Sequence, residues 1–160
     1  MDMKKSRYFT LKELCRSRTA LRKGIDNFPS FEVVSHLEEL VAKLLEPLRE
    51  AWGSPIAVTS GYRSPSLNRA VGGVMDSPHM KGYAADLVPL EKDAGALFAF
   101  AVEFLSSGGI PFDQILLETR GETSWVHLSL RSSSGAQRRE HKKITVRQHP
   151  DLREKIPLSV

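Results

Sequence analysis

After Ser30, hydrophobic residues recur every three or four positions: Phe31, Val34, Leu37, Leu40, Val41, Leu44, Leu45, Leu48 and Trp52. This is the period of an amphipathic helix, so the pattern predicts one long helix with Ser30 as its N-cap, bent near Pro47 and stopped at Gly53. His36 falls outside the stripe and is expected on the solvent side without a functional role. Upstream, Thr10 and Glu13 stand in capping-box spacing and predict a short helix over 10–17, after which "IDNFPS" turns the chain. Downstream, "PIAVTS" reads as a buried strand, and "SPSLNRAVGG" as a short helix with Ser64 at the N-cap and Pro65 at the first helical position. A further helix fits 91–106, which is rich in Ala, Leu and Phe and ends at "SSGG".

Three short runs carry a strand pattern. "YAADLVP" and "FDQILLE" are apolar, whereas "SWVHLSLR" alternates, placing Val126, Leu128 and Leu130 on one face and Trp125, His127 and Ser129 on the other. Segments 112–118 and 125–131 are expected to pair as a hairpin across a six-residue loop. The predicted class is α+β, with helices packed on a small, mainly antiparallel sheet.

Composition adds bounds. A chain of 160 residues with 41% hydrophobic and 26% charged residues supports one sizeable core. No apolar stretch approaches the roughly 20 residues needed to span a bilayer. The opening "MDMKKSRYFTLKEL" contains no signal-peptide core, so cytoplasmic synthesis without a membrane anchor is expected. The lone Cys15 excludes an internal disulfide and a multi-cysteine zinc finger, and is expected to serve as a small buried hydrophobe.

The net charge of +4 is uneven, because residues 131–160 hold eight Lys or Arg against three acids. The expected organisation is a domain over 1–131 and a basic tail over 132–160, either packed on the domain or partly disordered. Truncation after Arg131 is expected to leave the fold intact. Its "RREHKK" cluster could attract nucleic acid or an anionic wall polymer, but a solvated end is the simpler reading, so no nucleic-acid partner is expected, and His141 and His149 are expected to ligate nothing. A monomer is expected.

The candidate chemistry lies in "SPHMKGYAAD" and "SWVHLSL". His79 in a glycine-containing loop, Asp86 on the following strand and His127 on the polar face of another strand supply two imidazoles and one carboxylate. Zinc takes such a set and keeps a fourth position for water, the arrangement of a catalytic site. Taken alone, the His-to-Asp spacing is weak, since such pairs arise by chance.

Three motifs in order add to this: "SGYRS", then S-x-H-x-x-G-x-A-x-D, then W-x-H. Together, over roughly residues 8 to 131, they resemble the zinc D-alanyl-D-alanine carboxypeptidases and their phage endolysin relatives, particularly the small single-domain branch with the hedgehog/DD-peptidase fold. The resemblance implies one zinc ion held by His79, Asp86 and His127, with Arg63 binding substrate near the scissile bond and Ser77 touching substrate or tightening its turn. It implies hydrolysis of amide bonds in peptidoglycan stem peptides, of D-Ala-D-Ala carboxypeptidase or L,D-endopeptidase type, by a protein that reaches the wall on release at phage lysis or by another export route. The sequence departs from the family at the general base. Many members carry an acid three residues before the last histidine, where this chain has Ser124. Glu118 is the expected replacement, by analogy with a glutamate ending a similar Phe-Asp-led strand in hedgehog proteins, and Glu122 is the alternative. A zinc-stabilised binding module without turnover is the rival reading.

Overall fold

The stripe after Ser30 forms one continuous helical segment in the computed structural model, whose described residues are 6–147. Ser30 Oγ accepts the Val33 N–H and opens α3 (Phe31–Leu40). The chain then widens into a π turn (Val41–Leu45) and resumes as α4 (Glu46–Trp52), which Gly53 ends in the left-handed conformation at φ 80°. Pro47 explains the widening. It has no N–H to donate, and its ring would clash with the carbonyl four residues back; a longer turn, with the Glu46 N–H reaching Val41 O, accommodates the ring without breaking the helix. Leu37, Leu40, Leu44, Leu45 and Leu48 are at most 1% exposed and form the spine of the core. Truncating one such leucine to Ala costs about 2–5 kcal/mol. Phe31, counted in the stripe, is instead 77% exposed, since the first helical residue projects past the edge of the core.

Two short helices precede this segment. Thr10 caps α1 (Leu11–Cys15), accepting the Glu13 N–H. A helix absent from the sequence reading, α2 (Arg18–Lys23), runs between Ser17, which accepts the Ala20 N–H, and Gly24, which closes it in the left-handed conformation. The serine-to-glycine bracket is its only local signal, because six residues are too few to display a period. Cys15 is half-buried, and burial pushes its thiol up to about 11.

The sheet holds β1 (Ile56–Ser60), β2 (Ala84–Pro89), β3 (Gln114–Arg120), β4 (Thr123–Ser129) and β5 (Glu140–Thr145), in the order β1-β2-β4-β3-β5. The first four pair antiparallel, and β5 joins β3 in parallel. The short α5 (Pro65–Ala70) follows β1, capped by Ser64, and α6 (Ala94–Ser107) follows β2. The class is therefore α+β, as the hydrophobic pattern predicts. Ala85, Leu87, Ile115, Val126 and Leu128 lie in the core on the helix-covered face, while the intervening residues Asp86, Leu116, Glu118, Trp125 and His127 line a cleft on the other. Among the described residues no helix is long and apolar enough to cross a membrane.

One detail differs from the sequence reading, and another fills in what it left open. Strands β3 and β4 pair as far as Arg120 opposite Thr123, so the hairpin turn is Gly121 and Glu122 alone, with Gly121 at φ 61°, rather than a six-residue loop. Backbone pairing continues past the apolar run, and there the Thr119 and Ser124 hydroxyls bond each other at 2.8 Å. Part of the basic stretch, 140–145, forms β5. It is tethered by Asp113, whose carboxylate is fully buried and accepts Arg138 Nε and Nη2 at 2.8 Å each and the Arg138 backbone N–H at 3.0 Å. Burial opposes that charge, but the Arg138 bonds outweigh it and hold the carboxyl below its ordinary range. His141 is exposed on β5, whereas His149 lies outside the described residues.

Candidate metal centre

His79 sits on a single 3-10 turn (Pro78–Lys81) immediately before β2. Ser77 caps the turn, its Oγ accepting the His79 N–H at 3.3 Å, and Gly82 ends it at φ 73°. A Cβ at Gly82 would stand 2.9 Å from the Val33 carbonyl oxygen, so glycine lets the turn rest on α3. His36, expected on the solvent side, is half-buried and donates from Nδ1 to Lys81 O at 2.7 Å, tying the same turn to α3.

Asp86 and His127 reach the site through strand register. They are direct partners across β2 and β4, which places carboxylate and imidazole side by side on the cleft face. All three side chains are buried, with His79 at 1%, His127 at 5% and Asp86 at 9% exposure. Asp86 Oδ1 lies 3.2 Å from His79 Nε2 and 3.1 Å from His127 Nδ1, and the two ring nitrogens are 3.3 Å apart.

The protonation of His79 follows from one contact. Its Nδ1 lies 2.7 Å from Gly61 O, and a carbonyl only accepts, so Nδ1 carries the proton and Nε2 presents a bare lone pair to the carboxylate. Burial holds His79 down to about 4, which keeps it neutral at neutral pH. Burial also opposes the Asp86 charge, yet the adjoining imidazoles outweigh it and the carboxyl stays well below its ordinary range. With burial keeping His79 neutral and its one ring proton held at Nδ1 by Gly61 O, an ionised carboxylate faces an unprotonated nitrogen at hydrogen-bond distance. That arrangement is repulsive unless a cation lies among the donors. Tetrahedral zinc, with bonds of about 2.0–2.1 Å, needs donors about 3.3–3.4 Å apart, which agrees with the separations here. His79, Asp86 and His127 form the group that could hold a metal ion among the described residues.

Glycine at 61 has a steric reason as well. Tyr62 N–H donates to Leu14 O at 2.7 Å, and this close crossing leaves no room for a Cβ at Gly61, which would collide with the same carbonyl. Gly61→Ala is therefore expected to push the loop off α1, displace the acceptor of His79 Nδ1 and lower metal affinity by about tenfold or more, as loss of an orienting partner does; competition with a chromogenic chelator measures it. An affinity equal to wild type would show that the carbonyl does not orient the ring.

Arg63 follows in the same loop. Its Nη2 lies 3.8 Å from Asp86 Oδ2, its Nη1 donates to Asn68 Oδ1 at 3.1 Å, and its buried Nε has no partner. Asn68, 3% exposed, also donates from Nδ2 to Val74 O at 2.8 Å. Asn27 donates to Cys15 O and Tyr62 O and accepts the Ser64 N–H at 2.7 Å, pinning the loop from the other side. The sequence reading missed both asparagines. Asn68 lies close enough to Arg63 to be sought there, but Asn27 acts 35 and 37 residues away and leaves no local mark.

Glu118 enters from β3, where its partner across the hairpin is Trp125, and its Oε1 lies 3.9 Å from His127 Nδ1. Burial and then the Asp86 charge raise its carboxyl above the ordinary range, with His127, Arg63 and a hydrogen bond from the Trp125 side chain partly offsetting them. Glu122 occupies the exposed hairpin turn and does not line the cleft, and Ser124 is paired with Thr119 and does not line it either. Ser77, 3% exposed, lines it beside His79. The structure thus brings His79, Asp86, His127, Glu118, Arg63 and Ser77 to one cleft of about 820 Å³, bounded on one flank by the Arg16–Thr19 segment and on the other by the end of β5.

Comparison with known proteins agrees with this geometry. A family model described as Peptidase M15 matches residues 7–129. The zinc D-Ala-D-Ala carboxypeptidase of Streptomyces albus G is 50% identical over 44 residues, which cover 27% of this chain and 17% of that protein. The match therefore spans under a fifth of that relative's length.

Proposed function

This chain belongs to the M15 family of peptidases, and from that premise we propose a zinc-dependent hydrolase of amide bonds in peptidoglycan stem peptides, of D-Ala-D-Ala carboxypeptidase or L,D-endopeptidase type. The observation that carries the reading is the convergence of His79 Nε2, His127 Nδ1 and Asp86 Oδ1 at 3.1–3.3 Å with no proton assigned between His79 and Asp86. These three residues would hold one zinc ion per chain, and when bound the ion supplies Lewis-acid polarisation of the substrate carbonyl and acidifies water.

The chain's own groups do the rest. Glu118, with its raised carboxyl beside the donors, takes the proton of the attacking water at a carboxylate oxygen and returns it to the leaving amine nitrogen as the C–N bond breaks. Arg63, held by Asn68, directs its remaining donors at a substrate carboxylate or carbonyl oxygen. Ser77 fixes the turn that carries His79. A module that binds the wall without turnover would use the same three donors, and a half-buried carboxylate with a raised pKa in the cleft favours hydrolysis over it.

Metal content tests the reading. Wild type is expected to hold one zinc per chain by atomic absorption, and His127→Ala to hold none, because two ligands cannot keep the ion against a chelator. Its melting temperature should also fall, since the site joins β4 to the turn before β2. Full zinc occupancy in His127→Ala would refute the ligand set.

A further inference from the structure

Arg63 stops short of a partner within its reach. Its Nη2 stands 3.8 Å from Asp86 Oδ2 with both side chains mostly buried, whereas a guanidinium and a carboxylate normally close to about 2.8 Å. The backbone does not set this gap. Arg63 N–H donates to His79 O at 3.2 Å, which fixes the main chain and leaves the long side chain its rotamers. What holds the side chain is the other amine, since Nη1 donates to Asn68 Oδ1 at 3.1 Å.

The surroundings of Asn68 present that oxygen. Asn68 is 3% exposed, and its Nδ2 donates to Val74 O at 2.8 Å; a carbonyl only accepts, so the amide oxygen is the atom that faces Arg63. Gly73 passes against the contact. A Cβ there would lie 2.1 Å from Asn68 Oδ1 and 2.7 Å from Arg63 Nη1, and its φ is not in the left-handed region, so clearance beside this one hydrogen bond is what calls for glycine. The acceptor is also uncharged. An acid at position 68 would match the guanidinium charge inside the cleft wall, whereas an amide engages one N–H and leaves the charge and all of Nη2 to other acceptors.

We propose that Asn68 and Gly73 are positioning residues that hold the Arg63 guanidinium off Asp86 and keep its donors open to substrate. This rests on the hydrolase reading and deepens it by naming what aims the substrate arginine. Without the Asn68 oxygen the attraction of Asp86 is unopposed, and the guanidinium closes on a metal ligand instead of on substrate.

Crystal structures of the zinc-loaded full-length protein read this geometry directly. In Asn68→Ala, Arg63 Nη2 is expected to close on Asp86 Oδ2 to about 2.8 Å; a gap that stays at 3.8 Å overturns the proposal. The variant is expected to fold, because Val74 O keeps the Ser77 N–H as a donor at 3.2 Å. Should it not, Gly73→Ala makes the same test, since its Cβ displaces the oxygen while both side chains of the pair are retained. Turnover supplies a second readout. With zinc saturating and a stem peptide as substrate, Asn68→Ala should lower kcat/KM by about tenfold or more. In an Arg63→Ala background the same change should alter kcat/KM by less than about twofold, because the asparagine acts only through the guanidinium. An asparagine with a merely structural role would give losses that multiply, and that result refutes the positioning. If wild type hydrolyses no stem peptide while Arg63 closes on Asp86 in Asn68→Ala, the hydrolase reading fails and the hold on Arg63 stands; if wild type hydrolyses it and the gap is unchanged in the variant, the reverse holds.

Discussion

Glu118→Gln is expected to lower kcat on a stem-peptide amide by about a hundredfold or more, with zinc content and KM close to wild type. Glutamine keeps the size and polarity of the side chain but cannot take a proton. Only the proton transfer should suffer. The neighbouring Glu122→Gln is expected to retain near wild-type turnover, because Glu122 is on the exposed turn and outside the cleft. Two further facts favour Glu118. Its position opposite Trp125 is fixed by backbone pairing on both sides, so its direction is set before substrate arrives. Its carboxyl is raised by burial, which moves a base toward the pH at which it must both accept and return a proton. An inactive Glu122→Gln beside an active Glu118→Gln would reverse the assignment, and activity in both would remove a glutamate base from the mechanism altogether.

The second large effect concerns residues 132–160. Truncation after Arg131 should unfold the protein or leave it barely folded at 37 °C, contrary to what the charge pattern alone suggests. It removes β5 from β3, and it removes Arg138 from a carboxylate with no exposure. Stranding a buried charge costs about 3–5 kcal/mol, and the half-exposed Arg138 puts this pair toward the lower end. Against a total stability of about 5–15 kcal/mol, that loss together with an exposed strand edge is decisive. Arg138→Met isolates the ionic part and should lower the melting temperature by roughly 6–12 °C. Because the folded Asp113 carboxyl lies below its unfolded value, the pair stabilises the protein above about pH 4 and is lost as pH falls through the folded value, so wild-type and Arg138→Met stabilities should converge in strong acid. A truncated chain that melts like wild type would show that β5 adds nothing to the fold.

Both effects arise where distant segments meet, and this separates what the chain announces locally from what it does not. The helices at 31–52 and 94–107 follow from hydrophobic period and from caps such as Ser30 and Gly53, because helical contacts lie three or four residues apart and leave their mark in any short window. The alternation of 125–130 likewise assigns His127 to the face opposite Val126 and Leu128 before any partner strand is known. Motif order names His79, Asp86 and His127 together, although it cannot say which nitrogen of each ring points inward.

Only the tertiary structure decides the rest. That Glu118 faces the cleft while Glu122 stays on the turn depends on a hairpin that turns at 121–122, and register is a property of two strands rather than of one. The tautomer of His79 is set by the carbonyl of Gly61, 18 residues earlier, and the loop bearing Arg63 is pinned by Asn27 from a different part of the chain. Strand β5 reads as a basic tail because parallel pairing with β3 needs no alternation of its own: one edge is bonded and the side chains of His141, Lys142 and Lys143 remain in solvent. The sequence by itself determined the longer helices, the first four strands and the candidate donors, since these rest on residue type and short-range spacing, whereas α2 and β5 left no such mark. The donors' convergence to within 3.3 Å and the carboxylate beside them were decided by strand pairing and loop crossings between residues far apart in the chain, which no local window contains.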